Sequence, residues 1–112
     1  MPDDTASNNS DTPAAIGLPA TFGEYLHGFP SNITDVDRIL IAGFYVQSQS
    51  ADNSFNTLSA NELLKEQGIK LVNAAASLAK NKSAKRIFAL TKGNFRVSQT
   101  GTTYINNLLS RK

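Results

Sequence analysis

Between Leu58 and Gly68 the chain reads Leu-Ser-Ala-Asn-Glu-Leu-Leu-Lys-Glu-Gln-Gly, and no other stretch constrains the fold as tightly. Ser59 followed by Glu62 has the spacing of a capping box. The hydroxyl accepts a backbone N–H from the first turn, and the carboxylate reaches back to the cap. Leu58 and Leu63 are spaced to close over that turn as a hydrophobic staple. Gly68 suits the left-handed position that ends a helix, and Ile69 supplies the apolar contact beyond it. The spacing predicts a helix over 60–67 with a sharp stop.

The flanking segments extend this pattern. Thr34 is a good N-cap, with Asp35 and Asp37 in the first turn, where the helix dipole favours negative charge. Val36, Ile39, Leu40, Gly43 and Phe44 recur at helical spacing, which predicts a helix over 34–49 with one buried stripe. Ile41 and Tyr45 form a second stripe with two readings. It either holds a short helical turn at Phe22–Leu26, closed by Gly28 and Pro30, or forms the seam of a homodimer. Phe55 lies in a polar connection and is expected to anchor it to the core. After Gly68, Lys70-Leu71-Val72 crosses to Asn73, an N-cap for an Ala-rich helix over 74–82. From Arg86 the period changes. Ile87–Leu90 and Phe95–Ser98 read as strands around a Thr91-Lys92-Gly93-Asn94 turn, a hairpin over 87–97. Ser98 or Thr100 then opens a last helix over 99–109, with Gly101, Tyr104, Ile105, Leu108 and Leu109 on one face. The expected fold class is mainly α with a small β-hairpin, α+β.

Composition narrows the function. The chain has 112 residues and no cysteine, which excludes disulfides, thiolate zinc sites and cysteine nucleophiles. Residues 1–20 are acidic, polar and without periodicity, so a disordered tail is expected before one domain over 21–112. His27 is the only histidine, and no Gly-rich phosphate loop or paired carboxylate accompanies a nucleophile. No catalytic role, cofactor or metal is expected. The first residues do not resemble a secretion signal, and the longest apolar run, Ile39–Val46, is too short to span a bilayer. The expectation is a soluble cytoplasmic protein with no membrane partner.

Charge supplies the functional signal. All nine acidic residues precede position 67, and with only Arg38 and Lys65 against them residues 1–66 carry about −7. Residues 67–112 contain no Asp or Glu and carry about +9. A field this one-sided describes a partner, and the obvious polyanion is nucleic acid. A basic surface kept only for solubility is the plainer reading.

The order helix, short extended piece, helix, glycine turn, helix, hairpin, helix resembles the winged helix-turn-helix superfamily over about Thr34–Leu109. Two local runs carry the resemblance. One is the helix and glycine at 59–68. The other is Phe95-Arg96-Val97-Ser98 with Thr100, Gly101 and Tyr104 downstream, similar to the way many wings re-enter a final helix. The connection from Gly68 to Asn73 is longer than the tight turn of a minimal helix-turn-helix. The resemblance implies that helix 74–82 enters the major groove of double-stranded DNA and that hairpin 87–97 is a basic wing.

Leu71, Ala75, Leu78 and Ala79 are then expected inside. Asn73, Ala74, Ser77, Lys80 and Asn81 are expected outside, with Asn73, Ser77 and Asn81 reading base edges. Asn73 has a competing role as an N-cap, and Ser77 and Asn81 as plain solvated positions. Lys70, Lys80, Lys82, Lys85, Arg86, Lys92 and Arg96 are expected on phosphates. Phe88 is expected in the core. Sequence-specific, regulatory DNA binding is the leading function. The alternatives are a protein-interaction module whose basic face meets an acidic partner, and a general RNA or nucleoid binder.

Overall fold

In a computed structural model, which describes residues 18–111, Thr34 and Asp37 each accept the other's backbone N–H at 3.2 Å. This capping box opens a 15-residue helix, Asp35–Gln49, on which the other elements pack. In chain order the elements are α1 (Phe22–His27), α2 (Asp35–Gln49), β1 (Phe55–Asn56), α3 (Thr57–Glu66), α4 (Ala74–Ser83), β2 (Ile87–Ala89), β3 (Asn94–Val97) and α5 (Gln99–Ser110). The result is an α+β globule with one small antiparallel sheet.

Ile39, Leu40, Ile41 and Ala42 are consecutive and all fully buried, so α2 is covered on every side over that stretch. Its second stripe is covered by α1. The Tyr45 ring lies 5.5 Å from Phe22 and 5.6 Å from Tyr25. That corrects the dimer-seam reading of Ile41 and Tyr45, because the aromatic pair of α1 takes up the Tyr45 surface and Ile41 is fully buried within the chain. The tail boundary also moves. Leu18 packs on the core, and the Pro19 carbonyl accepts the Tyr45 hydroxyl at 3.2 Å. The rest of the expected tail, residues 1–17, lies outside the described residues.

The start of α3 differs from the expected one. Asn56, not Ser59, is the N-cap, and its Oδ1 accepts the Ser59 N–H at 2.8 Å. Asn-x-x-Ser has the same spacing as Ser-x-x-Glu, so two overlapping boxes compete. The sheet decides between them, because Phe55 and Asn56 pair with Phe95 and Asn94 and bring the chain straight from strand into helix. Leu58 is left 68% exposed, and the staple does not close. The far end is as expected. Gly68 has φ +77°, its N–H donates to Lys65 O, and Ile69 N–H donates to Leu64 O, both at 2.9 Å.

The sheet has three strands in the order β1-β3-β2, one more than the hairpin expected from sequence. A two-residue β1 carries no alternation to detect. In the hairpin Ile87 pairs with Val97 and Ala89 with Phe95. Lys92 and Gly93 both have positive φ, as the central residues of a type I′ turn require, and the Asn94 N–H closes that turn on Thr91 O. Phe55 anchors β1 as expected, packing against Gly43, where an added Cβ would sit 2.6 Å from the ring. Gln47 of α2 accepts the Val97 N–H at 2.7 Å and ties helix to sheet.

Two tyrosines make the fold sensitive to alkali. Burial pushes the Tyr25 hydroxyl far above the ordinary tyrosine value of 10.0. Burial, and then the hydrogen bond to Asp37, raises Tyr104 as well. Above a pH of about 10 the unfolded chain loses these protons while the folded chain keeps them. Stability from both groups is therefore complete below that pH and falls as pH rises past it. The urea midpoint should begin to drop near a pH of about 10 and keep falling above it, and Tyr25→Phe should flatten the drop. A drop unchanged by Tyr25→Phe would assign it elsewhere.

Candidate nucleic-acid interface

Asn73 caps α4, accepting the Ala76 N–H at 3.0 Å. From there Ala74, Ser77, Leu78 and Asn81 turn toward α2, while Ala75, Ala76, Ala79, Lys80, Lys82 and Ser83 face solvent. The helix is thus rotated by about one residue from the expected orientation. Ser77 and Asn81 are inside, at 7% and 0% exposure, and Ala75 and Ala79 are outside. The Asn81 amide accounts for the rotation. Its Nδ2 donates to Val36 O at 2.9 Å and to Ser77 O at 3.2 Å, and its Oδ1 accepts from Arg86 Nη1 at 3.0 Å. Bonded in this way, the amide carries no unpaired polar atom into the interior, and neither it nor Ser77 faces solvent.

Two of the expected phosphate contacts are also committed to the fold. The Arg86 guanidinium stacks on the Tyr104 ring, 3.9 Å from its centre, and the Tyr104 hydroxyl donates to Asp37 at 2.6 Å. Arg96 donates to the carbonyls of Asn53 at 2.8 Å and Asp52 at 3.1 Å, pinning the loop before β1. These two arginines are structural, in contrast to the expected role. Planar forks with several fixed donors suit such multi-point contacts better than lysine does.

Lys70, Lys80, Lys82, Lys85 and Lys92 remain, all exposed. None of the five forms an ion pair among the described residues, whose two ion pairs are Arg38–Asp35 and Lys65–Glu62. Lys85 and Lys92 both sit at positive φ, 66° and 58°. The chain around Lys85 is held by α4 and by the cap of α5, because the Lys85 N–H donates to Lys82 O and the Ser98 hydroxyl donates to Lys85 O. Lys92 is at the hairpin tip.

On α4 the lysines bracket a strip of small residues. Two positions apart on a helix is roughly 160° around its axis. Lys80 and Lys82 therefore leave opposite edges of a face floored by Ala75, Ala76, Ala79 and Ser83. Helical spacing hides this face by placing Ala75 and Ala79 inside. Phe88, expected in the core, is 43% exposed on the sheet's edge strand. Period-two alternation with the buried Ile87 was the available signal.

No protein-family model matches the chain, and neither curated proteins nor solved structures include a significant match. Among the described residues no helix is long and apolar enough to cross a membrane.

Proposed function

We propose that the chain is a winged-helix domain that binds double-stranded DNA, with α4 in the major groove and the β2–β3 hairpin as a phosphate-contacting wing. The observation that carries this reading is the outer face of α4. An alanine floor lets a helix backbone approach base edges closely, and a lysine on each side meets the phosphates that flank a groove. The charge pattern supports it, since α4, the hairpin and α5 all lie in the stretch without Asp or Glu. The acidic residues of α2 and α3 are partly absorbed by caps and ion pairs, as at Asp37, Asp35 and Glu62.

The same face limits how sequence is read. With Ser77 and Asn81 buried, the polar groups left on it are Ser83 and the Asn73 amide, whose oxygen is spent on the cap. Alanine methyl groups against thymine methyls add a modest preference. Affinity then comes mainly from phosphates, which favours broad duplex binding over a stringent operator.

Salt titration tests this. Five lysines on phosphates give a log–log slope of about −4 to −5 for a random duplex. The Lys80→Gln, Lys82→Gln double variant should make the slope shallower by about 2 and weaken all sequences alike. Absence of binding to random duplex at low salt, or a slope untouched by the double variant, would sink the proposal. Binding to an acidic protein instead would move the basic face to the interaction-module reading.

A further inference from the structure

A cleft of about 660 Å3, lined by none of the five lysines, opens between α1, the loop before α2, the α3–α4 turn and the end of α5. Leu26, Ile33 and Ile69 supply apolar walls, and Arg38 and Arg111 supply positive charge. Among the described residues no carboxylate lines it. The volume lies within the range of small-molecule sites, and apolar side chains share the wall about equally with polar ones, among them His27, Ser31, Asn32 and Gln67.

We infer that this cleft binds a small monocarboxylate with a compact apolar body. The two arginines of the wall favour an anion, and their pairing favours a small one. Arg38 is already paired with Asp35 at 3.3 Å and donates to Ser31 O at 3.4 Å, so it orients more than it attracts. Arg111 makes no ion pair among the described residues, so its guanidinium is the cation placed to meet the ligand's carboxylate. Its planar guanidinium matches a carboxylate in two-point geometry. An adjoining recess of about 450 Å3 shares Arg111 but ends on Asp37 and Tyr104. The Asp37 carboxylate repels an anion there, which keeps the ligand's charged end in the larger cleft. Leu26, Ile33 and Ile69 then cover its apolar body. Gln67 and Ile69, both in the wall, flank Gly68, so a bound ligand touches the turn that leads toward α4.

The test is a titration of the full chain with sodium 4-methylbenzoate, followed in amide proton–nitrogen spectra. Saturable shifts are expected at Gly23, Ile33 and Gln67–Ile69, with Kd at or below about 1 mM. The uncharged 4-methylbenzamide should bind at least about tenfold more weakly, a loss of about 1.4 kcal/mol. Arg111→Gln should weaken the carboxylate by a similar factor, and Lys92→Gln should leave it unchanged. Arg111 is exposed at the end of α5, and the same spectra report whether the variant is folded. Any one of the following overturns the inference: no saturable shift up to about 10 mM, equal binding of the amide, equal binding by folded Arg111→Gln, the same shifts with inorganic phosphate, or shifts confined to the lysines of α4.

Discussion

Asn81→Ala is expected to lower the stability of the domain by about 2–4 kcal/mol. For a domain of this size that is a fall in Tm of roughly 10–25 °C. The amide is fully buried and joins three partners from separate parts of the chain: the Val36 carbonyl on α2, the Ser77 carbonyl one turn back on α4, and the Arg86 guanidinium. Truncation removes the second donor to the Val36 carbonyl, which keeps only its helical bond, strands an Arg86 donor and leaves a small void. A stranded buried polar group costs about 1–3 kcal/mol, which is why removing one side of such a contact is worse than never having built it. The loss extends further, because Arg86 stacks on Tyr104 and Tyr104 donates to Asp37, the box residue of α2. Lys80→Ala, one position away and exposed, should change stability by less than about 0.5 kcal/mol. Urea unfolding of the two variants checks the orientation of α4. A stable Asn81→Ala variant with altered DNA preference would mean that the helix turns its other face to solvent.

Gly101→Ala is expected to cost about 2–3 kcal/mol, and Gly68→Ala only about 1 kcal/mol, although only Gly68 has positive φ. A Cβ on Gly101 would run into the Arg86 carbonyl oxygen and lie 2.7 Å from Val97 Cγ1. Neither neighbour yields easily. The Arg86 carbonyl accepts the Ser98 N–H at 2.8 Å, and Val97 is paired in the sheet. The first turn of α5 would have to lift off the hairpin. At Gly68 nothing lies within 4 Å, so the cost there is backbone conformation alone. Thermal unfolding of both variants ranks them. If Gly68→Ala is the more damaging, close packing is not the reason for glycine at 101.

Much of the architecture was legible because its signals are local. The Thr34 cap, the Gly68 stop, the Asn73 cap, the Thr91–Asn94 turn and the Ser98 cap each depend on residues a few positions apart. Misreadings came where distant partners intervened. Asn56 outcompetes Ser59 as the cap because β1 pairs with a strand roughly 40 residues later. Arg86 and Arg96 look like surface charges until Tyr104 and the Asp52–Asn53 carbonyls are placed beside them.

The sequence by itself determined the order of the elements, the ends of most of them and the confinement of acidic residues to positions before 67, since caps, turns and composition need no long-range contact. Only the tertiary structure decided which face of α4 is presented. An alanine-rich helix has little hydropathy contrast around its axis, so burial there is set by hydrogen-bond partners rather than by apolarity. The decisive one, the Val36 carbonyl, is 45 residues from Asn81. It draws a polar side chain inward, turns the alanines and their flanking lysines outward, and so shapes the surface proposed for DNA.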